Sequence, residues 1–487
     1  MKKLAILAAA GLVSACTVGP NYERPETPKA GAGAFVDPGT TKVTTGAVEG
    51  EWWRLFRDPV LDRLVVDALA HNTDVRVAAA NLKRSRAVLS EQRGARLPTT
   101  DLSAGYTRNR TGTGSQPSLA TSIPAGTAVP DAINYDFFQV GFDASYEIDL
   151  FGRVSRSIEA ARGDVAAQQA ALDAARLSVA AEVARNYAGA CGYALQAQVA
   201  RETVDLQRRT LDLTQRLFDA GRGTVRDVDQ ARVLAESAAA QIPGFEAERR
   251  ASLYALATLT GRAPEEIDAD AAKCTAPPSV GGLIPVGDGQ ALLARRPDVR
   301  QAERKLAADT ARVGVATAAL YPSISLLGSA SLGSSSIEDL PKGSSFSFSL
   351  GPLISWSFPN MTVARSRVRQ AEATGEASLA SFDGAVLTAL REVEQALARY
   401  AGELDRNVAL RRADEAAASA ARIAGLRFEA GRDTLLQRID AERDRATARA
   451  SLASSSVSLA QAQVALFKAL GGGWENAPAV ERRAPAQ

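Results

Sequence analysis

Two periodicities alternate along this chain, and the alternation occurs twice. After Pro98 the period is two: Leu102, Ala104 and Tyr106 are interleaved with Asp101, Ser103, Gly105 and Thr107. A cleaner run follows, in which Phe138, Val140, Phe142, Ala144, Tyr146 and Ile148 alternate with Gln139, Gly141, Asp143, Ser145 and Glu147. The same pattern returns at Ile324, Leu326, Ala330 and Leu332, and again at Phe346, Phe348, Leu350, Ile354, Trp356 and Phe358. These runs predict two β-hairpins, over 99–150 and 323–358. A soluble sheet with one face on a core is the commoner meaning of alternation. Runs of about ten residues with no separate helix to cover them fit strands of a membrane barrel, apolar toward lipid and polar toward water. The Gly/Ser/Pro-rich stretches Thr111 to Asp136 and Gly333 to Ser344 read as outward loops.

After each hairpin the period becomes helical. No proline occurs from Val154 to Ala220 or from Val363 to Ala430, and at 1.5 Å per residue such helices reach about 100 Å. Ile158, Val165, Leu172 and Val179 form a seven-residue row that Val199, Leu206 and Leu213 resume out of phase. A slipped heptad predicts a coiled coil whose winding changes along its length. Gly221 and Gly431 permit tight turns, and return helices run to Gly261 and Gly471, the first kinked by Pro243. Ahead of the first hairpin, WWRLFRDPVLDRL (Trp52 to Leu64) opens a helix that Pro98 stops, with Leu61, Leu64, Val65 and Leu69 on one face.

The two copies superpose by subtraction. LAHNTDVRVA at Leu69 lies over LARRPDVRQA at Leu293, a shift of 224 positions (293 less 69). Beyond the hairpins the shift is 210 (426 less 216), placing RLFDAGRGT over LRFEAGRDT and LATLTG over LFKALG. A period this long marks a duplicated domain-sized unit and not a solenoid. The expected organisation is a signal peptide (1–15), an N-terminal arm (16–58), repeat 1 (59–262, tip near 221), a linker (263–290), repeat 2 (291–473, tip near 431) and a disordered tail (474–487). Two hairpins supply four strands. Four cannot close a barrel, and an open edge in lipid leaves backbone groups unsatisfied at several kcal/mol each. Several chains must therefore close it together: two would give eight strands, three would give twelve.

Composition agrees with long, closely packed helices: hydrophobic residues are 46% of the 487, aromatics only 6%, and much of the apolar content is alanine. A net charge of +2 argues against nucleic acid as a partner. Lys2 and Lys3, then an apolar run from Leu4 to Val13, suit an export signal too short to span a bilayer. VSAC at Val13 to Cys16 matches the bacterial lipoprotein signal, which predicts a diacylglycerol on the thiol and an N-acyl chain such as palmitate on Cys16. Export permits a disulfide between Cys191, in a helical pattern, and Cys274, in a linker, but the pair reads as buried or idle thiols. The single histidine, His71, has polar neighbours, and no metal-spaced, phosphate-binding or nucleophile motif is present. No enzyme, metal or other cofactor is expected.

CTVGPNYERP (Cys16 to Pro25), WWRLFRDPVLDRL, the hairpin-to-helix junctions and the paired AG turns together resemble the outer-membrane factor family, the TolC-like exit ducts of tripartite efflux pumps, in its lipoprotein branch. The resemblance covers nearly the whole chain. It implies a homotrimer with a twelve-stranded outer-membrane β-barrel and an all-α, coiled-coil periplasmic tunnel, anchored in outer-membrane lipid. It also implies a periplasmic adaptor and an inner-membrane pump, proton-driven, as partners. The family's tip motif maps onto Arg216, Leu217, Gly221 and Thr224, and onto Arg427, Gly431 and Thr434, where the adaptor would touch. Leu436, Asp440 and Arg443 fall on the positions of the family's periplasmic constriction. Leu436 and Asp440, four apart, share a helix face, and threefold symmetry would make Asp440 a ring of three carboxylates. The expected function is passive exit of drugs or other small amphiphiles. The same architecture also serves protein secretion or metal-ion efflux, and a non-transporting, periplasm-spanning lipoprotein is the alternative from another class.

Overall fold

The computed structural model describes residues 17–26, 31, 33–35, 42–48, 50–112 and 132–480. The signal peptide, Cys16, most of the first hairpin's loop and the last residues of the tail lie outside them. In chain order the elements are β1 (Val43–Thr44), α1 (Pro59–His71), α2 (Thr73–Gly94), β2 (Thr99–Gly112), β3 (Ala132–Ile148), α3 (Arg153–Asp219), α4 (Val225–Ala239), α5 (Ile242–Leu259), β4 (Ile284–Pro285), α6 (Gly289–Arg295), α7 (Pro297–Ala318), β5 (Ser323–Ser334), β6 (Phe346–Ser355), α8 (Thr362–Glu429) and α9 (Leu435–Leu470). The chain forms two compact units. One comprises residues 1–23, 85–165 and 305–379, and the other 24–84, 166–304 and 380–487.

The first unit holds a four-stranded antiparallel sheet in the order β2-β3-β5-β6. Its register turns the sequence alternation into two chemically distinct faces. Leu102 pairs with Phe142, Phe142 with Ala330, and Ala330 with Phe348, so one apolar row crosses all four strands. The adjacent row on the other face is Asp101, Asp143, Ser329 and Ser349, where the last two hydroxyls share a hydrogen bond of 2.9 Å. Leu102 and Phe348 are 79% and 75% exposed. Side chains this apolar and this bare, in rows, belong against lipid. Where β3 passes into α3, Asp149 accepts from Val154 N and Ser155 N and caps the helix. Leu89 packs there with Val154, Ile158 and Ala161.

The second unit is helical apart from the parallel pair β1–β4, which joins the arm to the linker. Its organising feature is a knot made twice. In the first copy Asn72, between α1 and α2, donates to Leu259 O at 3.0 Å. In the second copy Arg296, between α6 and α7, donates to Ala469 O at 3.0 Å. The positions correspond under the two sequence shifts. Each bond ties the last turn of a return helix to the corner of a short helix pair. A Cβ on Gly261 would stand 2.8 Å from His71 O, and one on Gly471 2.8 Å from Arg296 Cγ, so both returns must end in glycine. Arg296 is buried but compensated, by Asp298 at 2.6 Å and Glu392 at 2.7 Å. Trp52 stacks on Phe467 at 5.1 Å and donates to Gly472 O. Leu293, Val299, Phe382, Val386 and Ala389 pack beside this region.

Three expectations are corrected. The helix expected from Trp52 to Leu97 is a 3-10 turn (Trp52–Phe56) and two helices, α1 and α2. Asp58 caps α1, and Asn72 Oδ1 accepts from Asp74 N and Val75 N, which starts a new helix at Thr73. Cys191 and Cys274 form a disulfide, pinning the linker to the middle of α3. The loop expected over 333–344 does connect β5 (to Ser334) with β6, and it carries two 3-10 turns, Ile337–Asp339 and Gly343–Ser345. The tail is held at its start. The Arg300 guanidinium lies 4.9 Å from the Trp474 ring centroid, Glu475 accepts from Gly473 N, and Arg176 donates to Pro478 O. Pro243 does interrupt its helix, as the gap between α4 and α5.

The disulfide predicts a crosslinked Cys191–Cys274 peptide in a non-reducing digest and a lower melting temperature after reduction, since bonds closing long loops contribute about 2–4 kcal/mol. A second expected outcome concerns acid. Arg63 holds the Asp268 carboxyl down to about 2, in a bidentate pair at 2.6 and 3.1 Å. A depressed carboxylate contributes stability above its unfolded value of about 3.9 and loses it as pH falls toward 2. Asp268→Asn should therefore flatten the stability profile between those limits, measured by linker hydrogen exchange.

Candidate functional site

The residues singled out from sequence lie at two helix turns and the first turns of α9. At the first turn Gly221 has φ +73°, and Arg222 N and Gly221 N donate to Leu217 O and Phe218 O at 2.8 and 2.9 Å. This is the paired bonding that closes a helix end on a left-handed residue. Gly431 repeats it with φ +67°, Arg432 N reaching Arg427 O and Gly431 N reaching Phe428 O, both at 2.9 Å. A Cβ at either glycine would meet nothing within 4 Å. Backbone conformation alone demands glycine there, and the turns are open to a partner.

Each turn then starts a helix with a reciprocal cap. Thr224 N donates to Asp227 and Asp227 N to Thr224 Oγ1. Thr434 and Gln437 do the same. Bonds from the Thr224 hydroxyl and backbone hold the Asp227 carboxyl below its usual range. The basic residues differ. Arg216 pairs within its own helix with Asp212 at 2.8 Å, whereas Arg427 crosses the turn to grip both oxygens of Asp433 at 2.9 and 3.0 Å. The second tip is thus internally braced, and the first leaves its arginine on the helix surface.

Leu436 is 58% exposed at the start of α9. Asp440 and Arg443 pair at 3.3 Å on the same helix, and Arg443 also approaches Asp444. Both side chains of the Asp440–Arg443 pair are about half exposed. Sequence reading passed over Glu442. It is buried beside them, accepts from the Thr210 hydroxyl of α3 at 2.6 Å and from Arg438 at 3.1 Å. Arg438 in turn lies over the Phe428 ring at 5.3 Å. These bonds seat the first turns of α9 on α3 and beside the end of α8. The only sequence signal was the four-residue spacing of Arg438 and Glu442, which also describes any solvated helix pair. Among the described residues no group of His, Cys, Asp and Glu could hold a metal ion.

The outer membrane efflux protein family model matches residues 64–262 and 289–472. The chain belongs to this family. The matched stretches fall largely within the two copies, and residues 263–288 between them are unmatched. Outer membrane protein OprJ of Pseudomonas aeruginosa is 30% identical over 95% of this chain and 94% of its own length. The toluene efflux pump outer membrane protein TtgF of Pseudomonas putida is 30% identical over 95% of each. The outer-membrane channel OprN superposes with a TM-score of 0.86 and 35% identity, covering 94% of this chain and 100% of that one. As an outer membrane efflux protein, the chain resides in the outer membrane and serves as an exit channel, its fold combining transmembrane β-strands with long helical hairpins. The family is one of channels, not of enzymes.

Replacing Thr434 with Ala removes half of the reciprocal cap and should cost about 1 kcal/mol at the start of α9. The check is faster amide exchange at residues 435–438 with exchange in α3 unchanged.

Proposed function

We propose that three copies of this chain close a twelve-stranded barrel and pass small amphiphilic compounds, drugs among them, outward without doing work of their own. An inner-membrane pump, proton-driven, supplies the energy, and a periplasmic adaptor meets the tips at Arg216, Leu217, Gly221, Thr224, Arg427, Gly431 and Thr434. A diacylglycerol and an N-acyl chain on Cys16 anchor each copy. The observation that carries the reading is the sheet: four strands with two open edges and one bare apolar face. Such a sheet is unsatisfied in lipid until other copies cover its edges. The likeness to a relative named for toluene efflux supports a small, apolar cargo.

In this reading Leu436 and Asp440 form the constriction. Three Asp440 carboxylates brought together repel one another unless cations or basic groups offset them, and Arg443 is the group at hand. Leu436→Ala combined with Asp440→Ala should raise single-channel conductance in planar bilayers by about twofold or more, since a ring of side chains sets a pore's narrowest passage. Unchanged conductance would remove the gate. Deleting the gene should sensitise cells to hydrophobic drugs and solvents, and a strain defective only in protein secretion would refute the choice of cargo.

A further inference from the structure

The first residues after Cys16 occupy a built groove in the sheet-bearing unit. Val18 N donates to Phe151 O at 3.3 Å. The Arg156 side chain, only 5% exposed, donates to Val18 O at 3.4 Å, Gly19 O at 3.3 Å and Asn21 Oδ1 at 2.8 Å. Its remaining partner is Glu159, at 2.8 Å. Two glycines make the approach possible. A Cβ on Gly152 would stand 2.4 Å from Thr17 Cγ2, and one on Gly19 would stand 2.4 Å from Gly314 Cα in α7. A buried guanidinium spent on the carbonyls of an otherwise irregular segment is a peptide clamp, since an unpaired buried charge is costly.

Beside this groove lies an exposed aromatic cluster. Phe151, whose carbonyl receives Val18, stacks on Tyr321 at 4.7 Å. Trp356 stacks on Phe358 at 4.8 Å and donates to Leu320 O, next to Tyr321. Tyr321, Trp356 and Phe358 are all exposed. They sit where strands give way to helices, the level of the membrane's inner interface, where amphipathic rings gather.

We propose that this cluster is the seat of the chain's own acyl groups, and that Arg156 is the residue that positions them. Cys16 is one residue before Thr17, and one residue spans at most about 3.8 Å. The clamp on residues 17–21 therefore fixes the point where the lipid is attached against the foot of the sheet. The acyl chains lie along Phe151, Tyr321 and Trp356 and extend the barrel's apolar surface, in place of trailing from a loose tether. The inference rests on the lipidation of Cys16 and is tested separately from it.

Cells expressing the protein are fed a palmitate analogue carrying a diazirine at its far end, irradiated, and the N-terminal acylated peptide is analysed by mass spectrometry. In the wild type that peptide should be joined to peptides containing Phe151, Tyr321 or Trp356. In Arg156→Ala the acyl mass should persist while those crosslinks fall by about tenfold or more, the consequence of losing charged hydrogen bonds. Gly314→Leu, which fills the groove without removing a charge, should act likewise. Acylated peptide crosslinked only to phospholipid in the wild type, or crosslinks unchanged in both variants, would overturn the proposal. A wild-type N-terminal peptide lacking acyl mass would overturn the lipidation itself.

Discussion

A hydrocarbon solvent offers no hydrogen bonds, and that constraint organises this protein. The edges of β2 and β6 carry backbone groups that nothing else in the chain pairs with among the described residues. Inside a bilayer each such group costs several kcal/mol, so a single copy is unstable where it must work. Closure against other copies satisfies the edges, turns the row of Leu102, Phe142, Ala330 and Phe348 toward lipid, and leaves the row of aspartates and serines lining a wet interior. The same register that makes the sheet insoluble alone makes it a channel wall in company.

The helical unit meets a different demand. A helix that returns from a distant turn must be fastened where it ends. The doubled knot does this: Asn72 on Leu259 O and Arg296 on Ala469 O fix each return helix to the short helix pair of its own copy. The chemistry has diverged, a neutral amide in one copy and a guanidinium with two carboxylates in the other, while the carbonyl that is gripped has kept its place. Duplication thus preserved a geometric task and let its means vary. The tips show the same drift, with Arg427 bracing one turn and Arg216 left on the surface of the other.

Much of this was legible in the residues. Alternation gave the hairpins because a period of two has few other physical meanings, and proline-free heptads gave α3 and α8 nearly to the residue. The break at Asn72 was harder. An asparagine is compatible with a helix interior, and only its side-chain bonds to Asp74 N and Val75 N make it a cap. The aligned copy did hold the clue, because Pro297 stands where Thr73 does and cannot continue a helix. The disulfide was not readable, since pairing needs Cα atoms about 5–6 Å apart and spacing along a chain says nothing of that. Glu442 was hidden for a related reason: a charged residue looks solvated until its burial is known.

The bond between Cys191 and Cys274 also sets an order of events. The two cysteines are 83 residues apart, and between them lie the tip at Gly221 and the whole of α4 and α5. In a chain delivered to an oxidising compartment N-terminus first, Cys191 waits as a free thiol until the turn and the return helix have followed it out. The bond can close only once that tip and return helix have been delivered, and it encloses the whole of the first tip without involving any residue of the second repeat.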